Sequence, residues 1–269
     1  AGVIMISTSS SIDKANIAKV KVFEESVQNN LADSMVSRWK LDEIIGTAAP
    51  YTTPDQWGSN QGTIYNISLL EKDCISEKCF KFIKNDSTKV DFGDPLNQDT
   101  SGYTISVWVK IEKYQASQVD SYYDIIFSRA NNYWGDAPLG FTYNSEADTL
   151  IFNSNFFNTS GVQCQSGRVN GRPVNISNDH KWNFLLMTFD KQNKIIEIFL
   201  NGKKHSVISD VDYLVFLSNN HYYSGGNLSP DRFLNGFIDD IRIYNAALTS
   251  SKIKQNYIAG LNSMLANGN

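Results

Sequence analysis

The sequence predicts a mainly β protein: a two-sheet antiparallel jelly-roll sandwich preceded by a long N-terminal amphipathic α-helix. Three observations predict it. After residue 37, short runs with period-two alternation follow one another, punctuated by Gly, Asn, Asp and Ser. Before that point, residues 11–38 contain neither Gly nor Pro and repeat apolar side chains every three or four positions. The length of 269 residues, with 41% hydrophobic and 12% aromatic content, supplies a sizeable core and excludes a disordered chain.

The helix is read from Val20, Phe23, Val27, Leu31 and Met35, which form one stripe, while Lys19, Lys21, Glu24, Glu25, Gln28 and Asn29 fill the other face. About 30 residues at 1.5 Å rise make a rod of roughly 45 Å, buried along one stripe only. Such a rod wants a partner: another helix, its own domain, or copies of itself. Residues 1–12 carry no charge and open AGVIMI before breaking into STSSS. No apolar run approaches the roughly 20 residues that a bilayer-spanning helix requires. The opening is therefore expected to be the remnant of an apolar segment lying upstream.

Strands are expected over 38–41, 62–67, 78–83, 103–111, 124–128, 139–143, 149–153, 182–190, 195–200 and 233–244. In the run 103–111, Tyr103, Ile105, Val107, Val109 and Ile111 share one face. Trp108 joins Thr104, Ser106 and Lys110 on the other, which predicts a second layer covering that side. Turn residues around 190–194 and 201–202 make 182–208 a meander of antiparallel strands. Ile253, Tyr257, Ile258 and Leu261 place a short helix at the C-terminus.

Composition removes several functions. With 24 Lys+Arg against 28 Asp+Glu the net charge is −4, so the chain repels polyanions and nucleic acid is not an expected partner. Three cysteines allow neither a disulfide-rich scaffold nor a four-cysteine zinc cage. Cys74 and Cys79 either close a small loop in an oxidising compartment or remain thiols like Cys164. No E-x-D-x-E strand, nucleophile elbow, phosphate-cradling glycine loop or zinc-protease helix occurs, and the three histidines are scattered. The protein is therefore expected not to be an enzyme.

Two resemblances bear on function. The stretch SIDKANIAKVKVFEESVQNNLADS, following an uncharged segment, resembles the stem of a bacterial type IV pilin or type II secretion pseudopilin. In that family a processed Phe and a nearby Glu lie within an upstream apolar span, and neither lies upstream of Ala1 here. Farther on, WKLDEIIGTAA, DQWGSNQGTIYN, CFKFIKNDSTKVDFG, YTISVWVKI, IIFSRANN, KWNFLLMTFDKQNKIIEIFLNGK and FLNGFIDDIRIYNAALTSSKIKQNY occur in the order typical of a concanavalin A-like, laminin-G type (LamG) domain. That resemblance implies a jelly roll that binds glycans or serves adhesion and holds a structural Ca²⁺. The segment APYTT, between Ala48 and Thr53, is inserted relative to the usual short connection, which implies a reshaped metal loop.

The residue-level case for a metal starts from Asp239. If 237–244 is one extended strand, Phe237, Asp239, Ile241 and Ile243 point one way, which sets a carboxylate on an apolar face. Such a group needs a cation, a set of N–H donors, or a shifted pKa. The polar loop 55–62 offers oxygen ligands for Ca²⁺, so the expected metal set is Asp55, Asn60, a carbonyl near Gly62, and Asp239. Sugar recognition requires flat apolar faces beside amide or guanidinium donors. The loops 129–136 and 219–224 contain both, so Arg129, Asn131, Tyr133, Trp134, Tyr222 and Tyr223 are the expected carbohydrate-binding residues.

The chain thus divides into a pilin-like helix over 1–37 and a jelly-roll domain over 38–269. The expected function is a non-catalytic cell-surface filament subunit displaying a glycan-binding or adhesive domain. Its expected partners are a glycan or surface protein, other pilin-like subunits through the helix, and a membrane through the missing apolar segment. Its expected location is extracellular or at the cell surface, anchored in the bacterial inner membrane or a filament. The alternatives are a secreted glycan-binding module of a larger protein and a glycoside hydrolase or lyase.

Overall fold

The computed structural model describes residues 2–70, 72–96, 101–112, 123–130, 139–144, 149–166, 174–175, 180–215, 221–226 and 232–266. The chain opens with α1 (Gly2–Leu31) and passes through one 3-10 turn into β1 (Met35–Trp39). Five short strands follow: β2 (Tyr51–Thr53), β3 (Gly62–Tyr65), β4 (Ser68–Leu70), β5 (Cys79–Phe82) and β6 (Lys89–Asp91). Next come β7 (Gly102–Ile111), β8 (Tyr123–Ala130), β9 (Gly140–Asn144), β10 (Thr149–Asn158), β11 (Gln163–Ser166) and β12 (Val174–Asn175). The last third contains β13 (Trp182–Asp190), β14 (Ile195–Leu200), β15 (Lys203–Ile208), β16 (Val211–Leu214), β17 (His221–Ser224), β18 (Gly236–Tyr244) and α2 (Ser250–Ala266).

These strands pair into two antiparallel sheets. The first has the order β15-β14-β13-β7-β18-β5-β4, with β1 also on β18; the second runs β11-β10-β9-β8-β17-β6-β3-β2, with β12 and β16 on β10. Tyr103, Ile105, Val107 and Val109 of β7 face the shared core with Phe127, Phe141 and Phe152 from the opposite sheet. Burial of each such side chain contributes roughly 1.5–3 kcal/mol.

Trp108 points the other way, and the predicted covering layer is there. Val27 and Leu31 of α1 and Ile253 and Ala259 of α2 bury against Trp108, Phe184, Leu186, Phe199 and Tyr244 on the outer face of the first sheet. Of the partners open to the apolar stripe, the helix packs on its own domain. Tyr257 stacks on Trp108 at 5.6 Å between centroids. A Cβ at Gly260 would lie 2.6 Å from the same indole, so α2 reaches this distance only with glycine there.

The structure also moves several sequence boundaries. β1 begins at Met35 rather than 38, because α1 stops at Leu31 and the Ser34 hydroxyl donates to its carbonyl at 3.2 Å. β10 extends to Asn158, and the last strand starts at Gly236 instead of 233. β2, β4 and β6 have three residues each, too few to show a period. Residues 221–224, expected in a loop, form β17.

The largest departure lies inside β18. Asp239 pairs with Trp108 but Arg242 pairs with Ser106, so three steps on β18 oppose two on β7, and Asp240 has φ 45°. This is a β-bulge. It turns Ile241 and Ile243 into the core beside Ile238, and it breaks the unbroken alternation expected for 237–244. Asp240 then lies buried between two guanidiniums: Arg38 Nε donates at 2.8 Å, Arg242 Nε at 3.0 Å, and Arg242 Nη2 also reaches it. Arg242 Nη1 donates to Asn256 Oδ1 of α2 at 2.7 Å, tying the helix to the bulge. Burial alone would raise the Asp240 pKa, but Arg242 and Arg38 hold it well below the usual carboxylate range. Asp240→Ala deprives both buried arginines of their shared anion and is expected to cost about 3–5 kcal/mol. Urea unfolding measures this, and a loss below about 1 kcal/mol would contradict the network's structural weight.

Candidate functional site

The bulge leaves Asp239 buried on the outer side of the first sheet, against the loop that the Cys74–Cys79 disulfide closes. Its Oδ2 accepts the N–H groups of Ile75 at 2.8 Å and Ser76 at 2.9 Å. Its Oδ1 lies 2.9 Å from Ser76 Oγ, which is also 2.9 Å from the Lys78 carbonyl. Burial pushes the Asp239 carboxyl up to about 8 against the pull of the Ser76 and Ile75 donors, with the neighbouring Asp240 adding to the rise. A hydroxyl has one proton, so Ser76 Oγ donates either to Asp239 Oδ1 or to the Lys78 carbonyl.

The other expected metal residues form a separate unit. Asp55 Oδ1 accepts N–H groups from Arg38 at 2.9 Å, Trp57 at 3.0 Å and Gly58 at 2.9 Å, and its Oδ2 accepts that of Asn60 at 3.1 Å. The Asn60 carbonyl accepts Trp39 Nε1 at 2.6 Å, its amide donates to Ser37 Oγ at 2.9 Å, and Gly62 begins β3. Ca²⁺ needs oxygen lone pairs converging on one point. Here those of Asp55 meet four N–H groups, while Asp239 is tied to Ile75 and Ser76. This donor set does not fit the calcium site expected from the sequence.

The expected sugar-binding residues separate by strand parity. Tyr222 is core: fully buried, it stacks on Phe127 at 5.3 Å. Arg129 is buried opposite it, 2.5 Å from Asp94 Oδ2, with its guanidinium 5.9 Å from the Tyr222 ring. Both are corrected from rim to interior, because β17 and β8 alternate sides where loops were expected. Asn131, Tyr133 and Trp134 lie outside the described residues. Tyr223 keeps its place on the outer face of the second sheet.

Around Tyr223 the register assembles residues from three further strands, β3, β6 and β8. Tyr223 stands opposite Asp91 and Ser128, Asp91 opposite Thr63, and Lys89 opposite Tyr65. Lys89 Nζ lies 5.0 Å from the Tyr65 ring and 5.8 Å from the Tyr223 ring. His221 Nδ1 is 2.9 and 3.0 Å from the two Asp91 oxygens, and its ring stacks toward Tyr223 at 6.2 Å. Burial, then Asp91 and Tyr65, push the Tyr223 phenol up to about 12. Tyr65 is 41% exposed and offers its ring to solvent.

The same face continues onto β9 and β10 in amides and hydroxyls. Asn153 Nδ2 donates to Thr142 Oγ1 at 3.0 Å, and Asn155 Oδ1 accepts Gln163 Nε2 at 3.2 Å. The buried Asn155 Nδ2 and Ser128 Oγ have no hydrogen-bond partner among the described residues. Asp91 is the one carboxylate on this face among the described residues of β3, β6, β8, β9, β10 and β17; Asp124 opposes core-facing Tyr143 and pairs with Lys84. Tyr65, Lys89 and Asp91 were not expected as site residues, although the alternation Lys89-Val90-Asp91-Phe92 contains the signal.

A family model described as the concanavalin A-like lectin/glucanases superfamily matches residues 84–254. No curated relative matches. Among solved structures, a Trypanosoma rangeli sialidase in complex with 2,3-difluorosialic acid is 12% identical with a TM-score of 0.59, covering 90% of this chain and 38% of the sialidase. Domain 4 of an extracellular arabinanase from Geobacillus stearothermophilus, in complex with arabinotriose, is 19% identical with a TM-score of 0.54, covering 83% of this chain and 98% of that domain. The receptor-binding domain of botulinum neurotoxin type G is 13% identical with a TM-score of 0.55, covering 84% of this chain and 51% of it. At these identities the likeness establishes the fold.

The Asp239 environment sets a pH dependence. With about 8 in the folded chain against an ordinary 3.8, the folded state keeps a proton that the unfolded state has released. Its stabilising contribution is therefore complete below about pH 4 and is lost as pH rises to about 8. Asp239→Asn cannot titrate, so its urea midpoint is expected to fall less over that range than the unsubstituted protein's. Equal pH slopes would contradict the assignment.

Proposed function

The chain belongs to the concanavalin A-like lectin/glucanases superfamily, in its laminin-G type branch, and we propose that it is a non-catalytic domain binding carbohydrate on the outer face of its second sheet. The observation that carries this reading is the strip Tyr65, Lys89, Tyr223, Asp91 and His221. It sets an exposed aromatic ring beside cationic and anionic hydrogen-bonding groups. Aromatic faces suit the C–H patches of a pyranose or furanose, and the flanking amides of Asn153 and Asn155 suit its hydroxyls. The arabinotriose held by the arabinanase domain and the receptor-binding role of the neurotoxin domain support a glycan ligand. Glycoside hydrolysis needs two carboxylates flanking the bond. Asp91, alone on this face among the described residues and engaged by His221, favours binding over cleavage.

The filament reading rests on α1. Its last turns are docked through Val27 and Leu31, while residues 15–19, 21 and 22 are exposed, including Val22 at 65%. Toward its N-terminal half the helix is therefore solvent-facing over these residues. We propose that this half serves as a stem for self-assembly or attachment at the cell surface, a placement that the buried disulfide supports. No helix among the described residues is long and apolar enough to cross a membrane.

A glycan array with the full chain tests the main reading. Tyr65→Ala is expected to weaken binding at least tenfold, about 1.4 kcal/mol, with an unchanged melting temperature because the side chain is exposed. No release of reducing sugar is expected from any bound polysaccharide. Absence of glycan binding, or full binding by the variant, would overturn the assignment of this face; hydrolysis would overturn the non-catalytic reading.

A further inference from the structure

Outside the proposed sugar face, three metal-ligating side chains converge at the bulge. Cys74, Cys79 and Asp239 are all buried, and one ligand atom from each lies within 4.8 Å of the others. In the disulfide the sulfurs are not thiolates and cannot bind a metal as such. Their positions remain informative, because three soft and hard donors from two segments meet where no solvent competes. We propose that the Cys74–Cys79 disulfide is the oxidised state of a Zn²⁺ site, formed by Cys74 Sγ, Cys79 Sγ and Asp239 Oδ1 once the bond is reduced.

The chemistry balances. A phosphine reductant attacks the S–S bond and supplies two electrons, and one water gives its oxygen to the phosphine oxide and its two protons to the two thiols; a dithiol instead supplies both electrons and both protons and leaves as its disulfide. Zn²⁺ then displaces the thiol protons, and any carboxyl proton, to solvent. Zinc takes sulfur at about 2.3 Å and carboxylate oxygen at about 2.0–2.2 Å in a tetrahedral set, which a cluster of this size reaches once the sulfurs separate. A fourth position is left for water.

The surroundings suit such an ion. The N–H groups of Ile75 and Ser76 bond Oδ2 and so orient the carboxylate, while Oδ1 meets the rotatable Ser76 hydroxyl, which can turn aside for an ion. Two thiolates, a carboxylate and Zn²⁺ sum to one negative charge. Lys110 balances it: its Nζ is 4.6 Å from the Phe237 ring, and Phe237 packs in the same cluster as both cysteines. The calcium expectation thus identified a buried carboxylate that faces ligands, while the ligands beside it are sulfur, which selects zinc over calcium.

Cobalt(II) added to the phosphine-reduced full chain without oxygen is the test. One equivalent is expected to bind, with thiolate-to-cobalt charge transfer and the intense visible bands of a tetrahedral site, and Zn²⁺ is expected to displace it. The oxidised chain is expected to show neither. Asp239→Asn is expected to weaken binding at least tenfold while keeping the charge-transfer band, and Cys74→Ser to weaken that band and the affinity without touching β18. A reduced chain that binds no cobalt, or that unfolds instead of binding, overturns the proposal. So does undiminished affinity in Asp239→Asn or Cys74→Ser.

Discussion

One extra residue in β18 organises this molecule. Strict alternation onward from Ile238 would put Asp240, Arg242 and Tyr244 in the sandwich core and expel Ile241 and Ile243. The bulge reverses that outcome with a single left-handed residue. It also places two adjacent carboxylates outside the core with opposite solutions to the problem of burial. Asp240 keeps its charge between Arg38 and Arg242, and Asp239 is pushed toward its neutral form by burial beside a short loop. From this point β1, α2 and the disulfide loop are all held to the same strand.

The first sheet is therefore committed to structure on both faces, with the core on one side and two helices on the other. No such helical layer is found over the outer face of the second sheet among the described residues. That face carries hydroxyls, amides, Lys89, a histidine hydrogen-bonded to Asp91, and two tyrosines. Among the described residues, a buried amide nitrogen at Asn155 and a buried hydroxyl at Ser128 have no partner, which is costly for groups taken out of water.

The helix illustrates how pattern and context divide the information. Its stripe from Phe23 to Met35 is legible in the sequence because a 3.6-residue period is local, and so is the side of β7 that carries Trp108. What the stripe packs against is not local. Its occupant is the outer face of the first sheet, supplied by residues as distant in sequence as Tyr244, and the close seat of α2 depends on Gly260 meeting Trp108. On the outer face of the second sheet Tyr223 is named from the sequence but not Tyr65, Lys89 or Asp91, which sit on strands of three or four residues whose alternation is too short to stand out alone.

By itself the sequence determined the class of fold, the long strands, both helices and the buried character of Asp239, since each follows from short-range alternation of apolar and polar side chains. Only the tertiary structure decided which partner Asp239 has, which of two neighbouring tyrosines points into the core, and where the final strand changes sides. The physical reason is that hydrogen-bond donors, opposing rings and an inserted residue are supplied by pairing between distant strands. A carboxylate on an apolar face announces a need, and only the neighbours brought by folding show how it is met.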